Sequence, residues 1–354
     1  MKTAIIIQAG GTGTRLWPLS TNKSPKQFAG IINEKSLLRN TFDRVQQIAE
    51  IQDIFVSTSV KFEQNVLKEI PELSSKNIIL EPKKMDTAPS LALTTFKLHE
   101  LGYTTAISIA CDHNILDVQK FLKTLQNAAA TNQKYPNQLI LVGMNPSFPS
   151  TGYGYIEMGE PKDRINEEII FTVNSFKEKP DLKTAEKFVE DWKYLWNAGY
   201  FIYNPEFLLQ KFAEHSPQTY NALKDTFKLD PKSPEFETAY TSCEAISVDY
   251  AIVEKLKDIL VLPASVGWSD IGSWQAVHEI LVDHDTRKNA FTGNVLEKDT
   301  KGSLVHSTNP NKLIALLGLK NIVVIDTGDV LLVADMNKCQ DVKKLVEQAP
   351  DALK

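Results

Sequence analysis

Residues 3–16 read Thr3-Ala4-Ile5-Ile6-Ile7-Gln8-Ala9-Gly10-Gly11-Thr12-Gly13-Thr14-Arg15-Leu16, an apolar run that gives way to three glycines in four positions. A short, continuous run rich in β-branched residues predicts a strand buried on both faces. Glycines directly after it let the backbone turn sharply and bring its N–H groups close to a phosphate chain. Arg15 adds a forked cation suited to phosphate oxygens. The turn is not a P-loop, because no Gly-Lys-Ser/Thr follows, and Leu16 stands where a dinucleotide fingerprint needs a third small residue. For the glycines alone, a tight structural turn is the plain alternative. The surrounding charge favours an anion site: residues 1–30 hold Lys2, Arg15, Lys23 and Lys26, and the first acidic residue is Glu34.

Working outward, similar runs recur at 54–58, 77–80, 104–110 and 138–143, which read as buried strands. Between them, Leu37 to Ala49 and Ala88 to His99 follow a helical period. This alternation predicts an α/β fold with a mixed, mostly parallel sheet, whose ligands sit beyond the carboxyl ends of strands. Residues 150–290 are more mixed, with a strand around Ile169 to Phe176, a helix from Asp249 to Leu256 and an aromatic segment from Tyr194 to Tyr203 that reads as core. After about residue 290 come short β-type runs punctuated by Gly, Asn and Asp, then one amphipathic helix carrying Val342, Leu345, Val346 and Ala349. The expected division is residues 1–290 and residues 291–354.

The composition is that of an ordinary globular chain: 354 residues, 42% hydrophobic and 23% charged, with 39 basic against 44 acidic residues and a net charge of −5. That balance argues against a general nucleic-acid binder. Three dispersed cysteines, Cys111, Cys243 and Cys339, form no disulfide framework and fit a reducing compartment. The four apolar residues before Gln8 are too few for a signal peptide, and no run approaches a membrane span, so a cytoplasmic protein is expected. His99, His215, His278, His284 and His306 show no metal spacing and read as surface or core residues.

Further motifs follow in order: Pro18-Leu19-Ser20 and Pro25-Lys26-Gln27-Phe28; Glu81-Pro82 with Asp86-Thr87-Ala88-Pro89; Asp112-His113; Thr151-Gly152-Tyr153-Gly154-Tyr155-Ile156. Lys177-Glu178-Lys179-Pro180, Trp196-Asn197-Ala198-Gly199, Ser247-Val248-Asp249-Tyr250 and Gly267-Trp268-Ser269-Asp270-Ile271-Gly272 complete the set. Together they resemble the sugar-1-phosphate nucleotidylyltransferases, specifically the bacterial mannose-1-phosphate guanylyltransferases, along nearly the whole chain. The resemblance implies a Rossmann-like nucleotidyltransferase domain followed by a small left-handed β-helix. Met85-Asp86 departs from the usual Arg-Asn pair, and Ala110-Cys111 from the usual Pro-Ala. Some members carry a C-terminal isomerase domain; the chain ends before one, so that second activity is not expected.

Transfer of a nucleotide to a sugar phosphate joins two anions, so the chemistry needs cations and alignment more than a general base. By the resemblance, GTP and mannose 1-phosphate give GDP-mannose and pyrophosphate. Gln8, Ala9, Gly10, Gly11, Gly13, Thr14, Glu81, Thr87 and Pro89 would hold the nucleotide, while Arg15 and Lys26 stabilise the leaving pyrophosphate. Asp112 and Asp270 would hold Mg²⁺, a hard cation that prefers oxygen. On spacing alone, Asp112 reads equally well as a helix cap and Asp270 as a turn residue. Lys179 would meet the sugar phosphate, with Gly154, Glu178, Asn197 and Asp249 reading the sugar. Rival readings are another hexose or heptose 1-phosphate, another nucleotide, or a catalytically silent nucleotide-sugar sensor. A homodimer is one option for its assembly.

Overall fold

The computed structural model describes residues 2–11, 13–282 and 286–354. Thr12 of the glycine turn and His284 lie outside the described residues. The chain forms two compact units. One comprises the chain up to Gly10, Thr41–Cys111 and Ile115–Trp268; the other comprises Gly11–Asn40, Asp112–Asn114 and Ser269–Lys354.

The first unit is built on a nine-stranded sheet. Its strands are β1 (Thr3–Gln8), β2 (Ile54–Ser59), β3 (Ile78–Glu81), β4 (Thr105–Ala110), β5 (Leu139–Met144), β6 (Gly154–Ile165), β7 (Glu168–Lys177), β8 (Tyr194–Tyr203) and β9 (Ile259–Ala264). The spatial order is β3-β2-β1-β4-β8-β5-β9-β7-β6. β1 pairs in parallel with β2 and β4, β2 with β3, and β5 with β9. The five runs that promised buried strands are β1 to β5, displaced by a residue or so at their ends. Helix Thr87–Glu100 realises the expected period and buries Ala88, Leu91, Ala92 and Phe96.

The aromatic segment 194–203 is buried at Trp196, Tyr200, Phe201 and Tyr203, and it is also a strand. β8 runs antiparallel between β4 and β5, where alternation was masked because residues on both of its faces are buried. At Gly143 of β5, an added Cβ would sit 2.5 Å from Leu195, so glycine permits the approach that sets Asn197 opposite it. The expected helix from Asp249 to Leu256 is broken into Val248–Ala251 and one tighter turn, Val253–Lys255. The break falls at Ile252, fully buried in the core, whose φ of −127° leaves the helical range.

In the second unit, β10 (Ala290–Thr292), β12 (Leu304–Ser307) and β14 (Ile322–Asp326) stack in parallel. A second stack pairs β11 (Asn294–Lys298) with β13 (Leu313–Leu317), also in parallel. Successive coils stacked this way make a β-helix, closed on one side by antiparallel β15 (Leu331–Asp335). Val305, Leu316 and Val324 fill the space between the stacks. Another core joins Leu16, Trp17, Trp274, Leu304, Val323, Met336 and Val342, so the glycine-turn segment and the β-helix share one apolar cluster. The Trp17 indole donates to the Leu353 carbonyl at 2.8 Å, and the Asn22 amide donates to the Lys354 carbonyl at 2.9 Å. The expected closing helix is Val342–Gln348.

Candidate active site

In the second unit, Gly13 adopts φ +62° and caps a short turn, Thr14–Leu16. A Cβ there would fall 2.6 Å from Lys26 Cγ, so glycine makes room for the lysine stem. Lys26, itself buried, places Nζ 2.6 Å from Asp112 Oδ2 and donates to the Ile271 and Asp270 carbonyls at 3.3 and 3.5 Å. Burial pushes the Asp112 carboxyl up, but the Lys26 ammonium and His113 outweigh it and hold it below the usual carboxylate range. Asp270 Oδ1 accepts the Gly272 amide at 3.1 Å. Gly13, Thr14, Arg15, Lys26, Asp270 and Lys343 line a cavity of about 270 Å³ in this unit. Arg15 and Lys343 are exposed and make no ion pair within the described residues, so their charge is available to an anion. Gly11 is exposed beside this turn, with open space where a Cβ would stand.

The first unit holds the rest of the expected nucleotide residues. Glu81, at the end of β3, is buried and accepts three hydroxyls: Tyr240 at 2.6 Å on Oε2, and Ser90 at 2.8 Å and Ser57 at 3.4 Å on Oε1. Burial pushes its carboxyl above the usual range, and the three hydrogen bonds oppose that rise. Ser90 also lies 3.2 Å from Gln8 Oε1, and a Cβ on Gly10 would stand 3.5 Å from Glu81 Oε1. Ala9 is tied down by its amide and carbonyl, which bond the Ser57 carbonyl and the Thr58 hydroxyl. Thr87 begins its helix and accepts the Val248 amide, while Pro89 is buried in the first turn. The Met85-Asp86 departure has a local explanation. Met85 packs on the core, and Asp86, at φ +67°, caps the helix through the Thr87 amide at 2.7 Å. Cys111 is a packed core residue whose carbonyl accepts the Thr41 hydroxyl.

The same unit gathers all five expected sugar residues. Gly154 of β6 pairs with Asn197 of β8, and a Cβ on Gly154 would fall 2.4 Å from Glu178 Oε2. Glu178 Oε1 pairs with Lys179 Nζ at 2.6 Å, while the buried Oε2 has no hydrogen-bond partner. Asn197 Nδ2 donates to Asp249 Oδ1 at 2.8 Å, and its Oδ1 accepts the Gly199 amide at 3.0 Å, so one side chain serves both a turn and a carboxylate. Burial and then the Glu178 charge push the Asp249 carboxyl up to about 7, against the opposing pull of Lys179 and Asn197. Tyr153 meets Trp196 and Trp268 edge-on, and the two indoles meet each other at a tilt.

Three contributors escape a reading of the sequence. Ser90 lies one residue past the Pro89 motif, Tyr240 is 159 residues from the carboxylate it touches, and Lys343 sits on a helix that reads as mere closure. Among the described residues, no three His, Cys, Asp or Glu side chains are placed to share a metal, and no helix is long and apolar enough to cross a membrane.

Comparison with known proteins places the chain in a family. The nucleotidyl transferase family profile matches residues 4–287, and a mannose-phosphate isomerase/GMP-like β-helix profile matches residues 293–349. Mannose-1-phosphate guanylyltransferase of Salmonella montevideo is 35% identical over 97% of this chain and 73% of its own length. The Escherichia coli K12 protein of the same name is 34% identical over 97% of this chain and 72% of its own. A solved structure of mannose-1-phosphate geranyltransferase from Thermus thermophilus superposes with a TM-score of 0.88 at 26% identity, covering 98% of this chain and 99% of that one. The chain belongs to the nucleotidyl transferases, and among them to the mannose-1-phosphate guanylyltransferase family.

Proposed function

We propose that the protein transfers GMP from GTP to mannose 1-phosphate, releasing pyrophosphate and forming GDP-mannose. The observation that carries the reading is the cation-lined cavity, where the glycine turn, Arg15 and Lys26 meet a lysine from the closing helix. Such a cavity suits the β- and γ-phosphates, whose charge grows as the bond to the α-phosphorus breaks. Arg15 and Lys26 stabilise that charge, with Gly11, Gly13 and Thr14 offering backbone and hydroxyl donors and Lys343 adding a third cation. Gln8, Ala9, Gly10, Glu81, Thr87 and Pro89 attend to the rest of the nucleotide. Lys179 steers the sugar phosphate, whose oxygen attacks the α-phosphorus. The unbonded oxygen of Glu178 takes a sugar hydroxyl, Gly154 leaves room for that carboxylate, and Asn197 holds Asp249 toward the sugar.

The oxygen donors around Lys26 fit a hard divalent cation: its ammonium already draws on one carboxylate and two carbonyls. Asp112 and Asp270 would hold Mg²⁺, which when bound supplies charge neutralisation on the phosphate oxygens. The proposal keeps residues 1–290 as the nucleotidyltransferase domain and residues 291–354 as the β-helix, in a cytoplasmic enzyme.

The test is GTP and mannose 1-phosphate with Mg²⁺, scored for GDP-mannose and pyrophosphate against other triphosphates and hexose 1-phosphates. Preferred turnover of this pair is expected. A faster alternative pair would overturn the substrate assignment, and binding without pyrophosphate release would favour a sensor.

A further inference from the structure

We propose that the Tyr240 hydroxyl sets which base the enzyme accepts, by holding Glu81 as an oriented, acceptor-only carboxylate. The inference rests on the proposed use of GTP and on Glu81 serving the nucleotide. Nothing in the order of the sequence joins Tyr240 to that role, because it comes from helix Pro234–Thr241, remote from the glycine turn.

The geometry begins with acceptor counting. An ionised carboxylate offers about four acceptor positions. Ser90 and Ser57 occupy Oε1, and Tyr240 takes one position on Oε2, leaving the second Oε2 position for a ligand donor. Tyr240 is fully buried, so its hydroxyl has no water to turn to, and burial together with the Glu81 charge keeps the phenol protonated. It is therefore a permanent donor at 2.6 Å, the short end of hydrogen bonds to charged oxygen.

The consequence for base choice follows from hydrogen-bond polarity. The Watson–Crick edge of guanine offers N–H donors at N1 and N2, one of which the remaining Oε2 position accepts. Adenine offers a lone pair at N1, which a carboxylate repels and a protonated carboxyl would satisfy. The buried Glu81 bonds the neutral hydroxyls of Ser57 of β2 and Ser90 of helix Thr87–Glu100, and Ser90 lies in turn 3.2 Å from Gln8 Oε1 of β1. The titratable groups facing it are the Tyr240 phenol and, beside that phenol, the Cys243 thiol, which burial pushes up to about 12. Among the described residues no cation bonds to this carboxylate, so hydroxyl donors alone offset its burial. Removing the strongest of them lets the carboxyl take up a proton at higher pH, and its polarity reverses.

The experiment compares wild type, Tyr240→Phe and Ser90→Ala, with initial rates for GTP and ATP from mildly acidic to mildly alkaline pH. The Phe variant keeps the ring and loses only the donor. It should lower the GTP-over-ATP ratio of kcat/KM about tenfold or more, as expected for a lost hydrogen bond to a charged group. It should also move the acidic limb of the GTP profile to higher pH, with the preference recovering under alkaline conditions. Ser90→Ala, on a different helix, should shift the same readouts in the same direction by less. Equal losses for both nucleotides at every pH, or an unmoved limb and ratio, would overturn the proposal and leave Tyr240 as packing. Equilibrium binding of GTP and ATP to the same three proteins carries the same prediction. A wild type that binds GTP but forms no GDP-mannose would therefore overturn the functional reading and leave this one standing or falling on the binding ratio.

Discussion

At the scale of single residues, the pair of buried Lys26 and half-buried Asp112 joins groups that chain order places 86 positions apart. Motif reading could nominate each residue, Asp112 from its place after a strand and Lys26 from the Pro25-Lys26-Gln27-Phe28 motif. It could not pair them, because pairing is a property of tertiary packing. Lys26→Ala or Arg15→Ala should lower kcat by roughly 10²–10³, the scale of one preorganised electrostatic contact. Steady-state rates decide the point, and a loss confined to KM would mean that ground and transition states are held equally. Asp249 gives a prediction in pH. Its folded carboxyl titrates at about 7, well above an ordinary aspartate, so the folded protein keeps a proton that the unfolded chain has released at about pH 4. Stability from this group is therefore lost as pH rises through that window and stays lost above it. Asp249→Asn should raise Tm at mildly alkaline pH and leave it nearly unchanged under acidic conditions, as thermal melts at the two pH values would show.

At the scale of elements, strands buried on both faces were the most legible, since β1 to β5 are continuous apolar runs bounded by turn residues. β8 was legible as core but not as a strand. Its aromatics satisfy several periodicities at once, and only its neighbours β4 and β5 decide among them. The break at Ile252 belongs to the same class, because burial in the core overrides local helical preference. The closing helix Val342–Gln348 was legible in its apolar face alone. Its polar side carries Lys343 to the phosphate-sized cavity, which spacing does not reveal. Because Lys343 is exposed, its field is screened, and Lys343→Ala should cost less than loss of Lys26: roughly threefold to tenfold in KM for pyrophosphate in the reverse direction. Raising the salt concentration should shrink that difference, which separates a charge effect from a packing effect.

At the scale of the molecule, composition changes near residue 290, yet apolar contacts within the second unit join residues from either side of that position. Leu16 and Trp17 share their cluster with Leu304, Val323, Met336 and Val342. A chain cut after residue 290 should therefore lose GTP binding along with activity, although every nucleotide and sugar residue expected from the sequence remains in it. Calorimetric titration of the shortened chain with GTP would show this, and wild-type affinity would make the β-helix dispensable to the turn. Conversely, GTP at a hundredfold excess over its Kd should stabilise the intact protein by about 2.7 kcal/mol, read as a rise in Tm.

The two carbonyls at Leu353 and Lys354, bonded to Trp17 and Asn22, have a practical consequence for anyone handling the protein. A purification tag, fluorophore or tethered partner attached after Lys354 would hang directly from the segment that carries the glycine turn. Its thermal tugging would reach Arg15 and Lys26 through a few covalent bonds and two hydrogen bonds. A spacer of flexible residues slackens that tether, so the same fusion with and without a spacer is a gauge of how much mechanical load the turn tolerates before catalysis suffers.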